Sequence, residues 1–370
     1  MADKLKVAVV FGTRPEAIKM APLVLELKKH DYFDVKTIVT AQHRQMLDQV
    51  LELFQIEPDY DLDLMKENQN LWELTSNILL ETKKVFDIEK PDVVLVHGDT
   101  TTAFATSLSA FYSKIKIGHV EAGLRTFDKF YPYPEEMNRV FSDYVTDFYF
   151  APTDRAVKNL EKENCKKENI YKTGNTVIDA LLWTIKNKVD NLDFLNLDNN
   201  LKTILLTSHR RENFGEPLNN ICDAIIELVE KNEDIQVVYP VHLNPNVRKV
   251  VFEKLSSLKR VILTDPLEYA PFSNLMKKSH IILTDSGGVQ EEAPSLGVPV
   301  LVLRDETERP EAIEYGGVKL VGTSKEKIIT TVQELLDNAT IYEKMSKSVN
   351  PYGDGTACSK IAEILLKIKK

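Results

Sequence analysis

Carboxylates stand directly behind apolar, β-branched runs in the first half of the sequence. Asp99 follows residues 92–96 within HGDTTT, and Glu121 follows residues 115–120 within HVEAGLR. The aromatic, proline-rich stretch 127–139 (FDKFYPYPEEMNR) then delivers Glu135 and Glu136 to a helix start. Ligands of open α/β sheets bind beyond the carboxyl ends of the strands, so acids gathered there suit general acid–base chemistry. Each also has a purely structural reading. Asp99 can cap the helix that opens near Thr101, and the paired glutamates can face a helix dipole. Glu121 has no cap to make, because it directly follows an apolar run. The first run, residues 6–11, leads into Gly12-Thr13-Arg14-Pro15-Glu16. Pro15 suits a first helical turn and Arg14 is placed for an anion, with an exposed arginine at a helix start as the plainer alternative.

The second half carries cations and glycines in the same kind of position. Residues 203–207 are followed by Ser208-His209-Arg210-Arg211-Glu212-Asn213. Residues 281–284 run into Asp285-Ser286-Gly287-Gly288, and Glu292 lies one turn into the helix the glycines open. Main-chain N–H groups at such a start suit a phosphate, and a carboxylate one turn on can accept from ribose hydroxyls. Arg309 adds a cation. A glycine-rich turn made for close packing is the alternative; serine, two glycines, glutamate and arginine together point instead to a nucleotide diphosphate.

Such residues need a scaffold that repeats strand and helix. Runs at 6–11, 35–40, 92–96, 115–120 and 148–150, then at 203–207, 236–239, 261–263, 281–284, 300–303 and 318–321, are almost continuously apolar. Parallel strands covered on both faces read this way. Amphipathic segments such as 71–86, 101–112, 218–230 and 325–336 alternate with them. The expected fold class is α/β, two doubly wound Rossmann-like domains facing a cleft. The polar stretch 187–200 predicts a connection near a boundary. The last segment, 356–370, predicts a helix whose apolar face (Ala357, Ile361, Ile364, Leu365, Ile368) must dock on something.

Composition narrows the function further. A chain of 370 residues has room for two domains. Lys+Arg total 47 against 56 Asp+Glu, a net charge of −9, which argues against a nucleic-acid partner. No apolar run approaches the ~18 residues of a membrane span, and the first run is too short for a signal peptide. Cys165, Cys222 and Cys358 are odd in number and far apart, so neither disulfides nor a zinc cluster is expected, and a reducing cytoplasm is the economical location. No G-x-G-x-x-G or G-x-x-x-x-G-K-[ST] occurs, so neither a nicotinamide cofactor nor a P-loop is expected. Asp59-x-Asp61-x-Asp63 lacks the glycine and glutamate of a calcium loop and reads as a solvated acidic loop. The histidines show no metal-ligand spacing.

The motifs FGTRPEAIKMAPL from Phe11, TAQHRQMLDQ from Thr40, VHGDTTT from Val96, GHVEAGLRT from Gly118, GNTVIDAL from Gly174, HRREN from His209, VYPVHLNPNVR from Val238, DSGGVQEEAPSLGVPVLVLRDETERPEA from Asp285 and NPYGDGTACS from Asn350 span nearly the whole chain. With them the sequence resembles the non-hydrolysing UDP-N-acetylglucosamine 2-epimerases. The resemblance implies a glycosyltransferase-B-type fold with an N-terminal domain over 1–170, a nucleotide-binding domain over 171–355 and a final helix, 356–370, crossing back to the first. It implies a homodimer that interconverts UDP-GlcNAc and UDP-ManNAc, for cell-surface polysaccharide synthesis, with no NAD and no catalytic metal. The implied route is anti elimination of UDP to 2-acetamidoglucal followed by re-addition. Catalytic roles carry over to Asp99, Glu121, Glu135 and His209. Substrate contacts carry over to Arg14, Lys19 and Arg139, diphosphate and ribose contacts to Ser286, Gly287, Gly288, Glu292 and Arg309, and a place beside the uracil to Phe272. A second, activating UDP-GlcNAc site of some members maps to Gln42, Gln45, Arg210 and His242. Asn68 stands where an arginine contributes to that site, and Leu267 where some members carry a polar residue. A hydrolysing epimerase releasing ManNAc and UDP, a glycosyltransferase of the same fold and a non-catalytic nucleotide sensor are the alternatives.

Overall fold

The computed structural model describes residues 4–41, 44–64, 69–188 and 192–368, without the side chains of residues 44, 45 and 368. The chain divides into two compact units, Met1–Ala180 with Tyr352–Lys370, and Leu181–Pro351. Unit 1 is built on β1 (Leu5–Phe11), β2 (Phe33–Val39), β3 (Tyr60–Asp61), β4 (Val93–His97), β5 (Lys116–Val120), β6 (Phe148–Ala151) and β7 (Ile170–Lys172). They form one sheet ordered β3-β2-β1-β4-β5-β6-β7 with parallel pairings throughout. Alternation along β1 sends Ala8 and Val10 to a core shared with the helices Leu71–Glu89 and Thr101–Tyr112. Val7, Val9 and Phe11 are equally buried on the other face. Each valine so covered contributes about 1.5–3 kcal/mol over exposure.

Unit 2 repeats the plan with β8 (Lys202–Thr207), β9 (Ile235–Pro240), β10 (Val261–Thr264), β11 (Ile281–Thr284), β12 (Val300–Val302) and β13 (Val318–Leu320). Their order is β10-β9-β8-β11-β12-β13, again parallel. Its core joins Ile204 and Leu206 of β8 to Leu218, Ile221 and Ile225 of the helix Glu216–Lys231. Both units are thus doubly wound and Rossmann-like, as the apolar runs predict. In each, the strand order reverses beside the first strand: β1 lies between β2 and β4, and β8 between β9 and β11. Connections leaving neighbours at such a point diverge to opposite faces and open a crevice.

The structure departs from the expected boundaries. Residue 170 opens β7, which pairs with β6, so residues 171–180 stay with unit 1. The passage to unit 2 falls inside the helix Thr176–Asn187, ahead of the polar stretch. The returning segment begins at Tyr352, and its helix Ala357–Ile368 packs on the helix Arg14–Lys28, burying Ala357, Ile361 and Leu365. Part of the acidic loop at 59–63 is an edge strand, because Tyr60 and Asp61 pair with Ile38 and Val39. Among the described residues, no helix is long and apolar enough to cross a membrane.

Candidate active site

At the reversal point of unit 1, the loop after β1 lies tightly against its neighbours. A Cβ on Gly12 would stand 2.0 Å from Thr40 Oγ1 and 2.6 Å from Thr102 Oγ1, so only glycine fits. Thr13 caps the helix Arg14–Lys28, and Glu16 answers in a capping box. Glu16 is buried; its Oε2 accepts from the N–H groups of Gly12 (3.1 Å) and Thr13 (2.8 Å), and its Oε1 accepts from the Thr100 hydroxyl (2.7 Å). Burial raises its pKa, with those hydrogen bonds pulling the other way. It thereby fastens the β1 loop to the Asp99–Thr100 turn. Arg14, half-buried alongside, has no acidic partner among the described residues.

Glu121 leaves β5 in a left-handed conformation, φ +68°, while its N–H donates to Phe150 O at 3.0 Å. Its carboxylate forms an ion pair with Lys19 and accepts from Asn175 Nδ2 at 2.8 Å. His97 Nε2, at the end of β4, lies 3.7 Å away. Burial pushes His97 down to about 3, and the neighbouring Glu121 charge only partly offsets this, so the ring is neutral. Asp99 is paired with Arg139, and its main-chain carbonyl accepts from Asn138 Nδ2 at 2.9 Å. Glu135 opens the helix Glu135–Val145, half-buried and with no side-chain partner among the described residues. The neighbouring Glu136 is buried; it accepts the N–H groups of Thr126 (3.0 Å) and Phe127 (2.9 Å) and lies 3.3 Å from Arg139. Beneath these groups His119 donates to Gly98 O at 2.7 Å and meets Asp143 at 2.6 Å. Asp143 also receives Arg125 at 2.7 Å. Burial works to raise the Asp143 carboxyl, but His119 and Arg125 outweigh it and hold it below its ordinary value.

At the reversal point of unit 2, Asp285 is fully buried under the loop after β8. Its Oδ2 accepts from Ser208 Oγ (3.0 Å), the N–H groups of His209 (2.9 Å) and Arg210 (3.0 Å), and Asn213 Nδ2 (2.9 Å). Its Oδ1 lies 3.0 Å from His209 Nδ1. Burial opposes ionisation, yet these donors carry the carboxyl below its usual range. The His209 main chain is thus held by Asp285, and its ring lies with Nδ1 beside that carboxylate. Nothing lies within 4 Å of a Cβ built on Gly287, so the chain there is open to an approaching group. Glu292 accepts from Tyr269 Oη at 2.9 Å, and Arg309 is paired with the buried Glu291. Phe272 lies half-buried on the helix Tyr269–Lys278.

Lys19 and Glu121 thus meet in unit 1, as do Arg139 and Asp99. His209 and Asp285 meet in unit 2, where His242 also stacks on His209 with ring centroids 6.3 Å apart. Arg210 reaches Glu308 at 3.5 Å. Gln42, Asn68 and the side chain of Gln45 lie outside the described residues. Arg139, Arg309 and Glu292, read from sequence as ligand contacts, each hold a protein partner. Glu16, His97, Asp285 and Glu291 were not singled out for the site, although Glu16 sits at the capping-box position and Asp285 opens the glycine turn.

The model of the UDP-N-acetylglucosamine 2-epimerase family matches residues 25–366. A UDP-N-acetylglucosamine 2-epimerase of Bacillus subtilis (strain 168) is 58% identical over 365 residues, covering 98% of this chain and 95% of its own. The structure of the Neisseria meningitidis UDP-GlcNAc 2-epimerase bound to UDP-GlcNAc superposes with a TM-score of 0.87 at 53% identity, covering 98% of this chain and 100% of that one. The Methanocaldococcus jannaschii enzyme in complex with UDP-GlcNAc and UDP gives 0.77 at 38% identity, covering 98% and 100%.

Proposed function

The chain belongs to the UDP-N-acetylglucosamine 2-epimerase family, and we propose that it inverts C2 of UDP-GlcNAc by eliminating UDP and adding it back to the opposite face. The observation that carries this reading is the placement of Asp99 and Glu121 at the carboxyl ends of the adjacent strands β4 and β5. The C2 hydrogen is not next to a carbonyl and is poorly acidic. Its removal is therefore coupled to loss of the C1 substituent: the C2 proton passes to a carboxylate, C1=C2 forms, and the C1–O electron pair leaves with UDP. Negative charge then grows on the diphosphate, where Ser286, Gly287, Gly288, Arg309 and Arg14 suit it, and His209 Nε2 can face a phosphate oxygen. Positive charge on C1 and the ring oxygen suits Asp99, Glu121 and Glu135, one taking the proton and another returning it. Lys19 sets a positive charge directly against the Glu121 carboxylate. Glu292 and Phe272 serve the ribose and uracil. Elimination and re-addition need no net oxidant or reductant, so NAD is given no step, and with arginines and a helix start taking the diphosphate charge no metal is given one either.

The test is incubation with UDP-GlcNAc in D₂O with chelator and without NAD or acceptor, followed by NMR. Deuterium at C2 together with UDP-ManNAc is expected. Free ManNAc would instead mean that water traps the intermediate, and unchanged substrate would favour sugar transfer or sensing. A homodimer is part of the same proposal, supported by exposed aromatic side chains on the helices Leu71–Glu89, Thr101–Tyr112 and Glu135–Val145.

A further inference from the structure

Asn175 is almost wholly buried and hydrogen-bonded in three directions. Its Oδ1 accepts from Val177 N at 3.0 Å, which makes it the N-cap of the helix Thr176–Asn187. With Oδ1 committed to that N–H, the amide must turn Nδ2 outward, and Nδ2 donates to Glu121 Oε2 at 2.8 Å. Its main-chain N–H donates to Tyr352 O at 2.7 Å. Gly174 makes this approach possible: at φ +92°, an added Cβ would meet Tyr352 O at 3.1 Å. The position in the chain gives the contact its meaning. The passage into unit 2 occurs between Ala180 and Leu181, and the return between Pro351 and Tyr352. The residue that grips Glu121 therefore lies in unit 1 shortly before the outgoing passage, and it is bonded to Tyr352, where the chain re-enters that unit.

We propose that Asn175 is a positioning residue for Glu121, held by its cap on the helix Thr176–Asn187 and by its main-chain bond to Tyr352, and that it sets the orientation and proton affinity of that acid. The inference rests on the reading that Glu121 acts at C2. Among the described residues, the charged and titratable groups facing Glu121 include Lys19 from the helix Arg14–Lys28 and His97 from β4, with His119 of β5 one step behind on Gly98 O. Asn175 adds a donor without adding charge. Asn175→Ser keeps a capping oxygen but is too short to reach the carboxylate; Asn175→Asp keeps the cap and sets a second carboxylate against Glu121.

The experiment first confirms C2 exchange by the wild-type protein in D₂O, then measures kcat and KM against pH for both variants, with unfolding temperatures alongside. Asn175→Ser is expected to lower kcat by roughly 10–100-fold, the loss of one hydrogen bond to a charged group, with KM little changed. The acidic limb of its profile should move up by about one pH unit, and that of Asn175→Asp further. Should the serine variant fail to fold, the aspartate variant decides by the same limb. A wild-type acidic limb in the folded variant, whether or not kcat falls, overturns the inference and leaves the C2 reading standing. No exchange by the wild-type protein overturns both.

Discussion

The buried carboxylate of Asp285 collects four donors at Oδ2, and its Oδ1 lies 3.0 Å from His209 Nδ1. A carboxylate this close to Nδ1 biases the aim of the His209 ring, so that Nε2 is the atom turned toward a ligand. Asp285→Asn offers the wrong group to part of that set. We expect kcat to fall by on the order of 10² through loss of orientation, checked by steady-state kinetics. Its stability effect has a definite sign. The folded carboxyl titrates below its unfolded value, so its stabilising contribution is complete above that unfolded value and is lost as pH falls through the folded one. The difference in unfolding temperature between wild type and Asp285→Asn should therefore be large at neutral pH and close below about pH 4. The acids of unit 1 make a sharper functional case. Asp99→Asn, Glu121→Gln and Glu135→Gln are nearly isosteric and should leave circular dichroism unchanged while each lowers turnover by roughly 10²–10³. Wild-type rates for all three would remove the acid–base assignment.

The last helix shows how a single cap can seat an element. Its apolar face was readable from the spacing of Ala357, Ile361 and Leu365, all buried against the helix Arg14–Lys28. Its start was not readable, because the cap comes from Asp179, 178 residues away, which accepts the N–H groups of Ala357 (3.2 Å) and Cys358 (2.9 Å). Asp179→Ala should cost about 1–3 kcal/mol, measured by denaturant unfolding, since it orphans two buried donors at a helix end. The same contrast runs through the fold. Strands buried on both faces announce themselves as continuous apolar runs. By contrast, β3 and β7 are two- and three-residue edge strands in which no residue is fully buried, so they leave no period to find. The unit boundary lies inside TVIDALLWTIKN, an apolar helix with no change of composition. In the site, residues that follow strands directly were legible. The contacts behind them were not: Asp285 follows a strand, but its hold on the loop after β8 and the hold of Asn175 on Glu121 are tertiary contacts between segments distant in sequence.

At the scale of the molecule, charge and exposed apolar surface pull in opposite directions. Each chain carries −9, so two copies repel, and the repulsion weakens with salt. Against it, Trp72, Phe111, Tyr112 and Tyr144 expose more than half of their surface, and Phe141 slightly less, on three helices that pack side by side in unit 1. At ~150–250 Å² per aromatic side chain, they offer roughly 600 Å², most of the ~800 Å² per partner of an ordinary stable interface. Phe141 is anchored from behind by Phe104, with ring centroids 5.6 Å apart, so the face is held in shape without a partner. A monomer would have to keep this surface in water, which soluble monomers rarely do on such a scale. Sedimentation equilibrium should give a dimer mass at micromolar concentration, with the association tightening as salt is raised, the reverse of an interface built on ion pairs. Tyr112→Asp combined with Tyr144→Asp should yield a folded monomer, because it sets unpaired charges into the apolar face that association would bury. A wild-type monomer mass at every salt concentration would mean that these aromatics serve some other partner.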